Sequence, residues 1–268
     1  MQVSTASIVA PGRPPSHGAR RAYAPAAASL LVLLPVLMLL LLLAPRPAAA
    51  QAVSPAETLL FETDHLARIK PPAVLVYEFR KVSSVEPGFT DKVQLDLADS
   101  KGKTSATLHF LSGTRTQDVP ALDNAHGNPV LLGFLERDIA EMKRLTGGSS
   151  AYFRKRIRMA LAEGAQVRAE SVAYQGKPVP AQSVRIQPYL NDPLHARFEP
   201  YVHKTYTFIV SAQVPGGVYQ LSSSVRNTAG GTNGRAVGGA AAKAPPAGSP
   251  LPAIDETLTL VSVAYPGR

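Results

Sequence analysis

The chain has 268 residues, no cysteine and a formal net charge of +9 at pH 7. The absence of cysteine excludes a disulfide framework, thiolate metal ligands, a cysteine nucleophile and a lipid-modified cysteine anchor. Residues 1–50 hold four of the 28 Lys and Arg residues and none of the 19 acids. The rest of the chain therefore carries only +5, without the concentrated basic stripe typical of nucleic-acid-binding proteins.

Residues 1–50 have the pattern of a secretory signal peptide. A leader containing Arg20-Arg21 precedes an apolar run at 30–43, and small residues follow it up to Ala50. We expect cleavage after Ala50 or Ala52, and hence a periplasmic or secreted protein with no transmembrane span after cleavage. The alternative is an uncleaved segment anchored in the inner membrane, because a spanning helix needs about 20 apolar residues and the run extends to nearly that length. The arginine pair allows a twin-arginine signal, but we favour the ordinary secretory route.

The next segment predicts one helix followed by antiparallel strands. Ser54, Pro55 and Glu57 form the capping-box pattern of a helix start, and Pro71-Pro72 predicts the end of that helix. From there to residue 110, apolar and polar residues alternate in three runs separated by turn-forming residues. Alternation with period two is typical of strands that bury one face.

Residues 128–163 predict an inserted pair of helices. Asn128 is the expected cap of the first helix and Gly147-Gly148 its end, and Ser149 or Ser150 is the expected cap of the second. The apolar residues of the second helix share one face, which we expect to pack on the sheet: Phe153, Ile157, Ala160 and Leu161.

Four more strand-like segments and a final strand complete the predicted α+β fold. We expect the four at 167–174, 184–187, 206–212 and 218–225. Residues 226–252 are rich in Gly, Ala and Pro and predict a flexible loop, after which residues 253–268 predict a strand that returns to the same sheet. The result is one exported domain beginning at residue 51. It contains an antiparallel sheet of about seven to eight strands, an N-terminal helix and a helical hairpin that covers one face.

The second inserted helix carries cations close to its start, where the helix dipole disfavours positive charge. These cations therefore need partners. The cations that lie off the apolar face are Arg154, Lys155 and Arg158. We expect them to be held by the acids of the preceding helix, which are Glu136, Asp138 and Glu141.

A second hypothesis for the same helix is an anion-binding site. Backbone N–H groups near Ser149 and Ser150, together with the guanidinium groups of Arg154 and Arg158, can converge on a phosphate or carboxylate. A lipid head group is the natural ligand for such a site in a cell envelope. The "LTGGSS" stretch lacks the Walker spacing, so nucleotide binding is not indicated.

The strongest catalytic constellation is "NDPLHARFEPYVH", which contains Asp192, His195 and His203. Carboxylate and imidazole groups can bind a metal ion, so an alternative function is a metal-assisted hydrolase that uses these three residues. The sequence contains neither an HExxH motif nor a GxSxG elbow, and it indicates no cofactor.

The sequence thus favours an exported, non-enzymatic accessory or binding protein of the cell envelope. Its expected ligand is apolar, or amphipathic and anionic, and its expected partners are a lipid or an envelope protein. A second alternative is a structural module that binds other proteins through an exposed sheet edge.

Overall fold

The computed structural model describes residues 52–225 and 252–267. The predicted signal peptide and all but the last residue of the predicted Gly/Ala/Pro-rich loop lie outside these residues. Within them, eight strands form one antiparallel sheet in the order β3-β2-β1-β8-β7-β6-β5-β4. The strands are β1 (Ala73–Ser83), β2 (Phe89–Ser100), β3 (Lys103–Phe110), β4 (Gln166–Tyr174), β5 (Lys177–Ile186), β6 (Thr205–Val210), β7 (Val218–Val225) and β8 (Ile254–Ala264). This architecture confirms the predicted α+β fold with an antiparallel sheet.

Three α-helical elements accompany the sheet in the described residues: α1 (Pro55–Glu57), α2 (Val130–Thr146) and α3 (Ser150–Glu163). Helix α2 ends at Gly147, which adopts a left-handed conformation with φ of 71° that favours glycine. Helix α3 is capped by Ser149, whose hydroxyl accepts a hydrogen bond from the N–H of Tyr152. None of the described helices has the length and apolar character needed to cross a membrane.

The N-terminal helix starts as predicted but ends earlier. The capping box is present, because the Glu57 N–H donates to Ser54 Oγ and the Ser54 N–H donates to the Glu57 carboxylate. Helix α1 continues as a π-helical turn at Thr58–Glu62 and stops there, so the predicted extension to Pro71-Pro72 is wrong. The cause is local: the Asp64 carboxylate accepts a hydrogen bond from the Leu66 N–H, which favours a turn over another helical residue.

One face of the sheet forms the hydrophobic core under the helices. On β1 the alternate residues Leu75, Tyr77 and Phe79 are fully buried, as the period-two pattern predicts. Helix α3 contributes its predicted apolar face to the same core. Phe153, Ile157 and Leu161 are buried, and Ala160 is partly buried against them.

Strand β5 begins seven residues earlier than the predicted segment at 184–187. The sequence obscured this start because Pro178 and Pro180 lack an N–H group and are normally excluded from central strand positions. In the structure they lie opposite Ala173 and Ser171 of β4. A two-residue turn at Gln175-Gly176, with positive φ at both residues, joins the two strands.

Helix α2 is tied to the sheet by two groups of buried charges. Arg137 contacts the Glu256 carboxylate of β8, and its guanidinium lies 4.7 Å from the ring centroid of Phe79. Lys81 of β1 is the cross-strand neighbour of Glu256 of β8. Its Nζ lies 3.5 Å from Glu256 Oε1, an ion-pair distance. Lys81 Nζ also donates to Glu141 of α2 at 2.7 Å.

The second group centres on Asp138, which has no solvent exposure. Its carboxylate accepts three hydrogen bonds. They come from Lys204 Nζ at 2.6 Å, from the Tyr206 hydroxyl at 2.5 Å and from the Ser223 hydroxyl at 3.0 Å. Burial, followed by the charge of Asp138, holds the pKa of Tyr206 well above its ordinary value, so this hydroxyl stays protonated and donates. Asp138 therefore holds α2 against β6 and β7.

We predict that Asp138→Asn lowers the free energy of unfolding by about 3–5 kcal/mol, because it leaves the Lys204 ammonium buried beside a neutral group. Glu136→Gln is the matched control on the same helix, since half of the Glu136 side chain is exposed (50%) and its loss costs only about 0–1 kcal/mol. Urea unfolding of both variants measures the difference, and equal effects would contradict the assignment of Asp138 as the buried tie.

Candidate ligand-binding site

A cavity of about 490 Å³ lies between the N-terminal segment, the middle of β5 and the end of β6 with the turn that follows it. Its walls come from residues 59–68, residues 180–182 and residues 210–217. Much of the lining is aliphatic, including Leu59, Val210 and Val214. The volume falls within the range of about 300–1,000 Å³ that is usual for small-molecule sites.

The N-terminal segment is held in place by contacts at both ends. At its start, the Ser54 hydroxyl donates to the carbonyl of Leu161 in α3 at 2.9 Å. After the early end of the helix, Leu66 and Ile69 are buried in the core, and the Leu66 N–H also donates to the carbonyl of His126 at 3.1 Å. The early helix end thus turns the chain across the ends of the strands, where it forms one wall of the cavity.

His65 is the buried polar side chain of this wall. Its Nε2 lies 3.0 Å from the carbonyl oxygen of Leu59, and its Nδ1 lies 3.4 Å from the backbone N–H of Asn128. An N–H facing Nδ1 and a carbonyl facing Nε2 define the neutral tautomer protonated at Nε2. Burial lowers the pKa of His65 below its ordinary value, which agrees with a neutral ring.

Gly217 makes this position of His65 sterically feasible. A Cβ on Gly217 would lie 2.7 Å from His65 Cδ2, and the residue has a φ of +70°. Both the space and the backbone conformation therefore require glycine. The turn between β6 and β7 thus contributes Gly217 to the cavity wall.

Arg68 supplies a cation at the rim of the cavity. It is exposed, and its Nη1 donates to the carbonyl of Ala212 at 2.9 Å. No carboxylate in the described residues pairs with Arg68. The nearby Asp64 instead contacts His126, with 2.9 Å between Oδ2 and Nδ1. The guanidinium therefore keeps donors for an anionic group at the mouth of an apolar cavity.

A second cavity, of about 470 Å³, lies between α3, the first residue of β4 and residues 185–191, which end β5 and begin the loop after it. Its lining is more polar and includes Arg156, Glu163, Gln166 and Arg185. Arg156 is already engaged, because its Nε lies 2.7 Å from the buried Asp192 carboxylate and its Nη2 donates to the Pro188 carbonyl at 3.2 Å. The cavity at residues 59–68 is therefore the better site for an apolar ligand.

The structure places only one of the predicted helix–helix ion pairs. Arg154 makes a bidentate contact with Glu136, at 2.8 and 2.7 Å. The other two predicted acids point elsewhere, because Asp138 is buried against β6 and β7, and Glu141 pairs with Lys81 and Arg144. The expectation that the acids of α2 hold Arg154, Lys155 and Arg158 is therefore wrong for Lys155 and Arg158. These two cations are exposed and unpaired within the described part of the chain.

Two of the four residues of the predicted anion site already have partners within the chain. Ser149 uses its hydroxyl as the helix cap, and Arg154 is engaged by Glu136. Ser150 is partly buried as the first residue of α3, and Arg158 lies one helical turn beyond Arg154. Local pairing therefore accounts for Arg154, and the anion site stays a prediction.

The three predicted metal ligands are not brought together. The buried Asp192 carboxylate accepts hydrogen bonds from the Tyr152 hydroxyl at 2.5 Å and the Leu194 N–H at 2.7 Å, and it forms the ion pair with Arg156. The Arg156 Nε and Asp192 Oδ2 atoms are close but not aligned as a hydrogen bond. His195 contacts the Asp192 carbonyl rather than its carboxylate, and His203 is exposed. Among residues 52–225 and 252–267, no cluster of three or more His, Asp or Glu side chains is placed to hold a metal ion.

Comparisons with known proteins leave the function open. No protein-family model matches the chain, and no curated protein matches it. Among solved structures, a similar chain is lipoprotein LppX of Mycobacterium tuberculosis, with 10% sequence identity and a TM-score of 0.28. The match covers 74% of this chain and 88% of that one. A likeness this weak does not support a functional assignment.

We predict that replacing Arg154 and Arg158 with Gln together changes the free energy of unfolding by no more than about 1 kcal/mol, because the one ion pair that is lost is exposed. Binding to vesicles of anionic phospholipid, measured by co-sedimentation, tests the anion site separately. Loss of vesicle binding in a folded double variant would establish that site. Unchanged binding, or none in the wild type, would exclude it.

We also predict that the protein loses stability as the pH falls below about 6.5, the ordinary pKa of His65. The folded-state pKa is lowered, so the unfolded chain takes up a proton in this range before the folded one does, which favours unfolding. The loss continues until the pH reaches the folded-state pKa. Free energies of unfolding between pH 7.5 and pH 5.5 measure the slope. His65→Gln should flatten it, whereas the matched change His203→Gln, at an exposed residue, should not.

Proposed function

We propose that the protein is an exported, non-enzymatic binding protein of the cell envelope, and that its ligand is a small amphipathic molecule with an anionic group. The observation that carries the proposal is an apolar cavity of about 490 Å³ with the unpaired cation Arg68 at its rim. Export rests on the sequence pattern of residues 1–50.

The cavity wall suits the apolar part of such a ligand. Leu59, Val210 and Val214 present aliphatic surface, and the buried polar side chains of the lining, His65 and Ser211, already have partners. The Ser211 hydroxyl donates to the Pro180 carbonyl at 2.6 Å and accepts from the Gln213 N–H at 3.1 Å. An apolar group can enter without stripping water from an unpaired buried polar atom, which would cost free energy.

Arg68 suits the anionic part of the ligand. A guanidinium carries five N–H donors in a planar fork and binds carboxylate or phosphate groups in a bidentate manner. The Ala212 carbonyl uses one nitrogen of the fork and orients the group at the rim. The cation therefore fixes the direction in which an amphipathic molecule enters, with its charged end outward.

The engagement of the titratable side chains supports a binding role rather than catalysis. His65 is neutral, with both ring nitrogens engaged, and the Asp64 carboxylate contacts the Leu66 N–H and His126. Neither group is left free to transfer a proton to or from a bound molecule. The rival hydrolase would have to assemble Asp192, His195 and His203, whose carboxylate and rings already lie in separate environments.

The test uses a fluorescent long-chain fatty acid as the probe, because it joins an apolar chain to a carboxylate. We expect the wild type to bind it and Arg68→Gln to weaken binding about tenfold or more, since a hydrogen bond to a charged group contributes about 1.5–3 kcal/mol. Ala67→Phe should also weaken binding by filling the cavity, because Ala67 is part of its lining. Fluorescence titration measures each dissociation constant.

Matched controls repeat each change elsewhere. Arg80→Gln removes an exposed arginine from β1, and Ala98→Phe enlarges an exposed alanine on β2, and neither residue lines the cavity. Both should bind the probe as the wild type does. A wild type that binds no probe, or equal binding by the cavity variants and their controls, would refute the proposal. Native mass spectrometry of gentle extracts then identifies the natural ligand by its mass.

A further inference from the structure

The two edge strands of the sheet, β3 and β4, differ in whether another segment of the chain lies beside them. Beside β3 runs the segment 117–125, which pairs with it at Ala106–Leu122 and at Phe110–Gln117. The Ala125 N–H also donates to the Thr104 carbonyl. Beside β4 the described residues place no strand on the outer side, and its residues 166–171 are all exposed. One edge is therefore covered and the other is open.

The register of the β4–β5 hairpin identifies which backbone groups face outward. Pro178 and Pro180 lie opposite Ala173 and Ser171 and have no N–H, so these pairs cannot exchange backbone hydrogen bonds. In an antiparallel pair, hydrogen-bonded and non-hydrogen-bonded residues alternate. By this alternation, Ser171, Ala169 and Val167 direct their N–H and C=O groups away from β5, toward the open edge.

The open edge lacks the usual protection against strand pairing. Natural edges are blocked by proline, by charged side chains (above all lysine), by bulges or by a covering segment. Of these devices β4 has only the opposite charges Arg168 and Glu170. The nine residues of β4, QVRAESVAY, contain neither proline nor lysine, and their pairing with β5 has no register shift. Each outward-facing residue offers one donor and one acceptor to a partner that approaches along the edge.

The charges on β4 are complementary to those of a second copy of β4 that runs in the opposite direction. If two copies pair antiparallel about Ala169, then Arg168 lies opposite the partner's Glu170, and Glu170 lies opposite the partner's Arg168. Shifting the centre by one residue would place either two arginines or two glutamates opposite each other, which is unfavourable. In the described residues of one copy, neither Arg168 nor Glu170 forms an ion pair; Arg168 contacts only Gln166, at 3.3 Å.

We propose that the protein forms a symmetric dimer in which the β4 strands of two copies pair antiparallel about a two-fold axis at Ala169. Ala169 faces the partner's Ala169 and exchanges both backbone hydrogen bonds with it, and Val167 does the same with the partner's Ser171. The two Arg168–Glu170 pairs occupy the intervening non-hydrogen-bonded positions, where side chains approach most closely. The same surface meets itself, as a closed two-fold interface requires.

Charge reversal tests the pairing in the full chain, with sedimentation equilibrium as the measurement. The wild type should be dimeric at micromolar concentration. Arg168→Glu and Glu170→Arg should each weaken the dimer about tenfold, because each change replaces two attractive cross-strand pairs by two repulsive ones. The double variant, which exchanges the two charges, should regain wild-type association. Mixing the two single variants should give a heterodimer, because each then presents the charge that the other lacks.

A thiol test fixes the register. The chain has no cysteine, so a single introduced thiol can crosslink only to its copy. In the proposed dimer the two residues at position 169 lie about 5.5 Å apart between Cα atoms, within disulfide range. Ala169→Cys should therefore crosslink under mild oxidation. Ala173→Cys is the matched control on the same strand and should not, because antiparallel pairing separates its two copies by about 25 Å.

The results that would overturn the proposal are distinct. A monomeric wild type would exclude the dimer. A dimer that is unchanged by both single reversals, or not restored by the double variant, would exclude the Arg168–Glu170 pairs. Crosslinking at position 173, or its absence at position 169 in a dimeric protein, would exclude the register about Ala169.

Discussion

Helix α2 holds its place over the sheet through two neighbouring residues of opposite charge. Arg137 reaches Glu256 on β8, and Asp138 reaches Lys204, Tyr206 and Ser223 beside or on β6 and β7. Apolar packing alone would bury the helix but would allow it to slide, since dispersion and the hydrophobic effect have little directional preference. Buried ionic groups require their partners in one geometry, because displacement leaves a charge uncompensated in a medium of low dielectric. We infer that these contacts fix the position of the helix along the sheet.

The position of the helix in turn determines the cavity. Asn128, two residues before α2, donates from its side chain to the Tyr77 hydroxyl at 2.9 Å and the Gly216 carbonyl at 2.8 Å, and its backbone N–H faces His65. The start of the helix, the β6–β7 turn and the cavity wall are thus joined in one hydrogen-bonded group. Gly216 and Gly217 permit this junction, since a Cβ on either would collide with side chains that form it. At the other side of the cavity, the rim residue Arg68 is exposed to solvent.

The fold was largely predictable, whereas most partners of the polar residues were not. Period-two alternation indicated most strands. The Ser54 capping box indicated the start of α1, and Gly147 indicated the end of α2. These signals are visible in the sequence because they act over a few residues. Asp138 illustrates the limit. It lies three residues after Leu135 and four before Met142, on the buried stripe of the helix. The sequence nevertheless predicts that it pairs with a cation of the second helix, because its actual partner, Lys204, is 66 residues away in the chain. The cavity depends on the early end of a helix and on contacts between distant segments, so Arg68 carried no local signal of its role.

The central place of β8 has a consequence for when the protein can fold. Strand β8 pairs with β1 on one side and with β7 on the other, so without it the sheet falls into two separate parts. Of the eight strands that the structure describes, β8 is the last in chain order, so it is synthesised after the other seven. The eight-stranded sheet therefore cannot be completed before residues 254–264 have been made, and until then β1 has no strand to pair with on its β8 side.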